Sequence, residues 1–286
     1  MTIQIYNTLT GKKEPFVPRD PGAVSIYVCG VTPYDQSHLG HAVPSVIWDA
    51  IGRFFEYEGY KVRLIQNFTD VDDKVIARAE ATGENALDIS DRYIGEYLEE
   101  MDALGVKRAF AYPRVSREIP AIIEMVEKLV DKNHAYVVEG DVYFDVSSFP
   151  KYGQLSGQVL EDLEAGARLA VDDRKRNAMD FALWKSAKPG EPAWESPWGL
   201  GRPGWHIECS AMALKYLGNH LDLHGGGADL IFPHHENEIA QSDAYTGKPP
   251  FVGCWVHNGL LQTKDEKMSK SLGNFTPLQD LLQEYS

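Results

Sequence analysis

A pattern of strand, helix and strand near the start of the chain constrains its fold more than any other feature. Residues 25–29 form a short apolar run that predicts a buried strand ending at Gly30, and residues 61–65 predict a second strand. Between them, apolar residues at helical spacing from 46 to 55 predict a helix that ends before Gly59. A crossover helix lets the two strands run parallel in one sheet. The sequence therefore predicts an α/β protein with a parallel sheet.

Two short motifs at opposite ends of the chain both suit a nucleoside triphosphate. The first is Ser37-His38-Leu39-Gly40-His41, and the second is Lys267-Met268-Ser269-Lys270-Ser271. Attack on an α-phosphate creates an anionic transition state, which a protein stabilises by positioning and by charge. Either motif alone has a plainer explanation: a helix cap plus a core histidine for the first, and a solvated loop for the second. Their pairing indicates a site that holds the nucleotide from both sides.

Each residue type in these motifs has a chemical reason. His38 and His41 share a face if a helix begins near Gly40, and the glycine lets phosphate or base approach the backbone. A helix N-terminus there would add N–H groups and the positive end of a dipole. Lys267 and Lys270 carry their charges on long stems, which suits them to follow a moving pyrophosphate.

Composition narrows the class of protein. The 286 residues carry a net charge of −14, which disfavours a protein that grips nucleic acid over its whole surface. The basic cluster 174–176 (Arg-Lys-Arg) is either a solvated loop or a substrate contact, and both alternatives stay open. The sequence contains no apolar run long enough for a bilayer, no signal peptide and only three widely separated cysteines, so we expect a cytoplasmic protein.

Local composition divides the chain into three parts. Gly, Pro and Trp become frequent after about residue 147 and remain so to about 202. We therefore predict that residues 1–110 form the first half of a nucleotide-binding domain, that 111–200 are a connective insertion, and that 201–286 form the second half with the lysine loop. Further elements are also predicted: a helix opened by Thr69 or Asp70, helices over 86–104 and 120–132, a hairpin over 137–145 and a strand at 221–224.

Four groups of residues could ligate a metal ion: Cys29, Cys209, His224 and the run 234–238 (His-His-Glu-Asn-Glu). Pro233 suits the first turn of a helix, on which His234 and Glu238 would face one way. The pair His235 and Glu238 is the second choice. Two thiolates, an imidazole and a carboxylate suit Zn²⁺.

Spacing alone leaves this metal site open against a plainer alternative. In that alternative Cys29 and Cys209 are buried cysteines that pack as small apolar residues. Cys254 has no evident ligand partners, so we expect it to be structural.

Taken together, these motifs resemble the class I cysteinyl-tRNA synthetases over essentially the whole chain. The resemblance rests on residues 27–30 (YVCG), 67–73 (NFTDVDD), 180–184 (DFALW), 203–210 (PGWHIECS), 224–230 (HGGGADL), 232–238 (FPHHENE) and the two motifs above. It implies a Rossmann-like, doubly wound catalytic domain with a connective insertion. It also implies one zinc ion, held by Cys29, Cys209, His234 and Glu238, that binds the substrate thiolate and so rejects serine without editing.

The resemblance further implies a reaction and a pocket. Cysteine and ATP, accompanied by Mg²⁺, would form cysteinyl-adenylate and pyrophosphate, and tRNA(Cys) would then accept the cysteine. The histidines and lysines would stabilise the transition state, with Gly40 at the ATP. The residues implied to line the cysteine or ribose pocket are Thr69, Trp205, His224 and Asp229. Asp229 would bind either the ammonium group or the ribose hydroxyls, and Trp205 is alternatively a core residue. We expect a monomer.

The chain departs from the family in two places. The family commonly carries Arg two positions beyond the second histidine, where this chain has Val43. Together with residues 32–35 (TPYD), this segment resembles the related cysteine ligase of mycothiol synthesis, whose acceptor is an amino sugar. The chain also ends at Ser286, so we expect the anticodon-binding domain to be absent and transfer to tRNA to be less certain than activation. The alternatives are therefore a ligase for a small amine and a non-catalytic paralogue that binds zinc or cysteine.

Overall fold

A computed structural model describes residues 2–158, 174–263, 266–267 and 276–285. The chain forms two compact units. Unit 1 contains Met1–Phe16, Val115–Leu221 and Leu230–Trp255, and unit 2 contains Val17–Arg114, Asp222–Asp229 and Val256–Ser286. The predicted division at residues 110 and 200 stays a prediction. None of the helices in the described ranges is both long and apolar enough to cross a membrane.

The described ranges contain both strands and helices. The strands are β1 (Gln4–Asn7), β2 (Lys12–Pro15), β3 (Ala23–Val31), β4 (Lys61–Phe68), β5 (Ala135–Val138), β6 (Asp141–Phe144), β7 (Phe181–Ser186), β8 (Gly201–Pro203), β9 (Leu221–Gly227), β10 (Val252–Asn258), β11 (Gln262–Thr263) and β12 (Glu266–Lys267). The α-helices are α1 (Leu39–Tyr57), α2 (Asp73–Thr82), α3 (Ala86–Ala103), α4 (Ile119–Asp131), α5 (Trp205–Leu217), α6 (Glu236–Thr246) and α7 (Leu278–Tyr285).

The predicted parallel sheet is confirmed. Its strand order is β10-β9-β3-β4, and β3 runs parallel to both β4 and β9. Helix α1 connects β3 to β4 as the crossover, so the first strand–helix–strand unit is the one that the sequence predicts. Ile26, Tyr27 and Val28 in the centre of β3 are almost fully buried, as expected for a strand covered on both faces.

The core of unit 2 explains why α3 forms where the pattern places it. Ile94, Tyr97 and Met101 lie at helical spacing on one face of α3, and they pack against Phe68 from β4. Each side chain of this size contributes about 1.5–3 kcal/mol when fully buried. This packing holds the carboxyl end of β4 in place.

One predicted helix start is wrong. We predicted that Thr69 or Asp70 opens a helix, but α2 begins at Asp73, and Asp72 is its cap. The Asp72 carboxylate accepts a hydrogen bond from the Lys74 backbone N–H at 2.9 Å. Both Thr69 and Asp70 are only 3% exposed, because they directly follow the buried end of β4.

Unit 1 contains an antiparallel sheet with the strand order β5-β6-β7-β8. The predicted hairpin is its first pair, β5 and β6. Asp180, which is 1% exposed, lies at the start of β7. Its carboxylate accepts hydrogen bonds from the Tyr136 hydroxyl (2.6 Å) and from the backbone N–H of Val146 (3.0 Å) and Asn177 (3.0 Å). This buried carboxylate therefore holds the loop before β7 against the hairpin.

The basic cluster 174–176 contacts the same hairpin. The guanidinium of Arg176 stacks over the Tyr136 ring at 4.0 Å, and Arg174 forms a 2.7 Å ion pair with Asp141. These contacts hold the cluster against the hairpin, and both alternatives for its role, a solvated loop and a substrate contact, stay predictions.

Candidate active site

Three of the four predicted metal ligands converge in unit 1. Cys209 comes from α5, His234 from a π-type turn over Ile231–His235, and Glu238 from the first turns of α6. Their ligand atoms lie within 4.8 Å of one another, and each side chain is 1–2% exposed. A sulfur, a nitrogen and an oxygen donor at this separation form a cluster that could hold a metal ion. The fourth predicted ligand, Cys29, belongs to β3 of unit 2 and is half-buried.

The distances favour His234 over His235 as the partner of Glu238. The Nε2 atom of His234 lies 3.0 Å from Glu238 Oε1, whereas Nε2 of His235 lies 3.9 Å from the same oxygen. Pro233 does not open α6 as predicted, because it lies inside the preceding turn. The two favoured ligands thus face each other across the junction between that turn and the helix.

The electrostatics of the cluster attract positive charge. Burial disfavours protonation of His234, but Glu238 and Cys209 together outweigh it and raise its pKa to about 10. On the other side of the ring, His234 Nδ1 lies 3.0 Å from Nδ1 of His206. Burial and the neighbouring His234 hold the pKa of His206 well below its usual value. The residues present therefore fit a bound cation at Nε2 of His234.

Trp205 lies beside this cluster. It opens α5, and its ring stacks on the His234 ring with centroids 4.4 Å apart. The residue is 40% exposed, which is too much for a core tryptophan. This exposure disfavours the alternative of a core residue, and the pocket role stays a prediction.

The two histidines of the first motif form the cap of α1 in unit 2. The Nδ1 atom of His38 accepts a hydrogen bond from the Gly40 backbone N–H at 3.0 Å, and Nδ1 of His41 accepts one from the His38 backbone N–H at 3.3 Å. Because both Nδ1 atoms accept, the neutral rings carry their protons on Nε2. The rings are stacked with centroids 4.0 Å apart. The hydrogen bonds that cap the helix thus also leave an N–H donor at Nε2 of each neutral ring.

The structure gives a reason for glycine at position 40 that the sequence pattern did not reveal. A Cβ atom at position 40 would lie 2.6 Å from Cε1 and 2.8 Å from Nδ1 of His38. The His38 ring therefore occupies the space in which any other residue at position 40 would place its side chain.

The remaining predicted pocket residues of unit 2 lie near the ends of parallel strands. Thr69 follows β4, and its hydroxyl accepts a 3.2 Å hydrogen bond from the Asn67 side chain. His224 on β9 is 1% exposed, and its ring lies 5.2 Å from that of Tyr27 on β3. Asp229 lies in an exposed turn that follows β9. These positions agree with the general rule that open α/β sheets bind ligands at the carboxyl ends of their strands.

The lysine motif lies largely outside the described residues. The backbone of Lys267 forms part of β12, which pairs antiparallel with β11. Lys270 belongs to the range 268–275, which is outside the described residues.

One half-buried residue beside the cluster, His206, was not identified from the sequence as part of the site. Its ring contacts His234, at a sequence distance that leaves no periodic signal. Glu236 and Asn237 belong to the candidate run 234–238, but the sequence did not indicate their contacts.

Comparisons with known proteins identify the family. The family model for the class I (C) tRNA synthetase catalytic domain matches residues 15–286. The chain is 59% identical over 283 residues to the cysteine--tRNA ligase of Carboxydothermus hydrogenoformans, covering 99% of the chain and 61% of that protein. It is 60% identical over 283 residues to the cysteine--tRNA ligase of Pelotomaculum thermopropionicum, covering 99% of the chain and 58% of that protein. It thus spans about 60% of the length of these relatives.

A solved structure supports the fold. The methionyl-tRNA synthetase of Mycobacterium tuberculosis, in complex with methionyl-adenylate, superposes with a TM-score of 0.69 at 17% identity. The match covers 92% of the chain and 62% of that protein. The fold is therefore the Rossmann-like fold that the resemblance implied. Because the family model matches almost the whole chain, the chain belongs to the class I tRNA synthetases of the cysteine type, as their catalytic domain.

Proposed function

We propose that this chain activates L-cysteine with ATP to give cysteinyl-adenylate and pyrophosphate, for ligation to tRNA(Cys). The observation that carries the proposal is the buried cluster of Cys209, His234 and Glu238, in a chain 59–60% identical to cysteine--tRNA ligases. A sulfur-containing donor set suits a soft metal and a soft thiolate substrate.

The metal in our proposal is zinc. Cys209, His234 and Glu238 would hold it together with Cys29, the fourth ligand that the sequence predicts. The donor types suit zinc, and the raised pKa of His234 supports the fit because a cation at Nε2 would replace the proton that the cluster favours. Zinc bound there would take the cysteine thiolate as a ligand and lower the pKa of the thiol. Serine has no thiolate and cannot form the same bond to zinc.

The chain's own residues would handle the charge at the phosphates. In the proposed step, a carboxylate oxygen of cysteine attacks the α-phosphorus of ATP, that bond forms, and the bond to the pyrophosphate oxygen breaks. The Nε2–H donors of His38 and His41 would stabilise the negative charge that develops on the phosphoryl oxygens. They act from a fixed position, because their Nδ1 atoms are already held by the helix cap.

The other predicted groups complete the proposal. Lys267 and Lys270 would neutralise the leaving pyrophosphate, which Mg²⁺ would accompany. Thr69, Trp205, His224 and Asp229 would line the cysteine or ribose pocket. For Asp229, exposure after β9 is compatible with both the ammonium and the ribose role. We also propose that the protein is a monomer and that it is located in the cytoplasm.

Transfer to an acceptor is tested by incubating the protein with ATP, labelled cysteine and either a tRNA(Cys) transcript or an amino sugar. We expect consumption of ATP only with cysteine, and label on the tRNA. The relatives favour tRNA over a small amine and over a non-catalytic paralogue. Label on the amino sugar alone would contradict the proposal, as would cysteine binding with no adenylate formed.

A further inference from the structure

Glu236 and Asn237 are buried polar residues to which the proposed reaction assigns no role. They lie in the His234–Glu238 run, between the two residues that face each other as ligands. Glu236 is 0% exposed and Asn237 is 2% exposed. A carboxylate buried to this extent requires compensating contacts, because burial of a charge is costly.

The contacts of both side chains lie on one loop of the same unit. One oxygen of Glu236 accepts hydrogen bonds from the backbone N–H of Leu155 (3.0 Å) and Ser156 (2.9 Å). The carbonyl oxygen of the Asn237 side chain accepts a 2.5 Å bond from the hydroxyl of Tyr152. The loop 152–156 is therefore hydrogen-bonded to the first two residues of α6.

The loop is itself firmly built. Gly153 adopts a φ of +95°, and a Cβ there would lie 2.0 Å from the carbonyl oxygen of Gln158. The Gly157 N–H donates to the Gly153 carbonyl at 2.8 Å, and Tyr152 is 9% exposed. Such a loop can serve as a fixed surface against which α6 is positioned.

The junction at Glu236 is where positioning matters. His234 lies in a turn that contains the extended residue Phe232 (φ −138°, ψ 134°), whereas Glu238 lies on the regular helix α6. The end of α6 at His235 has no side-chain cap hydrogen bond. The separation of His234 Nε2 and Glu238 Oε1 therefore depends on how this junction is held, since a continuous helix does not fix it.

We propose that Glu236 and Asn237 are positioning residues, which use the loop 152–156 to set the distance and angle between the two ligands His234 and Glu238. The inference rests on the metal site of the proposed function. It assigns to the loop 152–156 a direct part in metal affinity, because the loop bonds to two of the three residues that lie between the ligands. Groups that orient metal ligands typically contribute 10–100-fold to metal affinity.

The test measures Co²⁺ affinity and the visible spectrum of the Co²⁺ protein, with thermal unfolding recorded alongside. We expect Glu236→Ala to lose about 10–100-fold in Co²⁺ affinity and to shift the thiolate-to-cobalt band. Glu236→Gln keeps an oxygen that can accept from both backbone N–H groups, so it should restore the affinity to within about threefold of wild type. Tyr152→Phe, which removes only a hydroxyl, should lower the affinity in the same direction and serves if Glu236→Ala does not fold.

Asp243→Ala is the matched control. Asp243 is another buried carboxylate on α6, and it accepts a 2.8 Å hydrogen bond from the Phe251 backbone N–H, away from the ligand turn. We expect this variant to lose stability and to keep the wild-type affinity and spectrum. The inference is overturned if Glu236→Ala and Tyr152→Phe both bind Co²⁺ as wild type does, or if Asp243→Ala weakens binding equally. A wild-type protein that binds no Co²⁺ would overturn the metal site and the inference with it.

Discussion

Substitution of Gly40 by alanine separates the two roles of the helix cap. The new Cβ would lie 2.6 Å from Cε1 of His38, which is closer than real Cβ contacts. The imidazole must move by several tenths of an ångström or turn away. Either movement weakens the 3.0 Å bond from the Gly40 N–H to His38 Nδ1 and the stacking on His41, 4.0 Å away. The proposed Nε2–H donor moves with the ring.

The expected effects on stability and on rate differ in size. Loss of a helix cap costs about 1 kcal/mol. Alanine in place of glycine in a helix returns up to about 1 kcal/mol. The free energy of unfolding should therefore change by less than about 1 kcal/mol, a shift in Tm of no more than about 4 °C. A misplaced catalytic group costs roughly 100-fold in rate, or about 2.7 kcal/mol of transition-state stabilisation.

The assay combines cysteine-dependent pyrophosphate exchange with thermal unfolding. Gly52→Ala, on the same helix, is the control: a Cβ there meets only Leu64 and Val62 at 4.0 Å. This variant should gain about 0.5–1 kcal/mol in stability and exchange at the wild-type rate. Exchange by Gly40→Ala at the wild-type rate would show that catalysis does not depend on the position of the His38 ring. So would a loss of activity in Gly40→Ala explained by unfolding, with Tm lowered by 10 °C or more, roughly the effect of a severe core defect.

Three further substitutions test other parts of the molecule. Cys209→Ser should lower zinc affinity more than about 100-fold in a chelator competition, because it removes a thiolate donor; unchanged affinity would exclude Cys209 as a ligand. Burial raises the pKa of the Cys254 thiol from 9.0 to about 12, so the folded state keeps a proton that the unfolded state loses, and stability falls as pH rises above 9. Cys254→Ala should therefore flatten the decline of Tm above pH 9, and a wild-type slope would contradict this. Asp180→Ala leaves three donors, two of them buried, without their acceptor and should cost roughly 3–5 kcal/mol in urea unfolding; a cost under 1 kcal/mol would show that the loop before β7 relaxes freely.

Local pattern was sufficient to predict the framework of this protein. The apolar run at 25–29 and the helical spacing from 46 to 55 predicted the crossover between β3 and β4. A continuous apolar run is typical of a strand buried in a parallel sheet, and apolar residues at helical spacing are typical of a helix with one buried face. The error at Thr69 and Asp70 arose because the buried strand end and the helix cap both use small polar residues. Only the contact of Asp72 with the Lys74 N–H distinguishes the cap from its neighbours.

Residue type and spacing also predicted the pair His234 and Glu238, but for an incomplete reason. The four-residue spacing assumed a continuous helix from Pro233, whereas the structure interrupts it with a π-type turn. The contacts of His206 and of Glu236 depend on residues 28 and about 80 positions away. Such long-range partners leave no periodic signal in a single sequence. The need for glycine at position 40 likewise leaves no sequence signal, because it arises from the space that the His38 ring occupies.

The most direct test of the central claim is pyrophosphate exchange into ATP, measured with cysteine and with serine, before zinc removal, after removal and after restoration. We expect exchange that requires cysteine, is lost with the metal and returns with it, while serine supports none at any stage. Exchange that persists at the wild-type rate without zinc, or that serine supports equally well, would contradict the claim that the buried cluster selects the thiol.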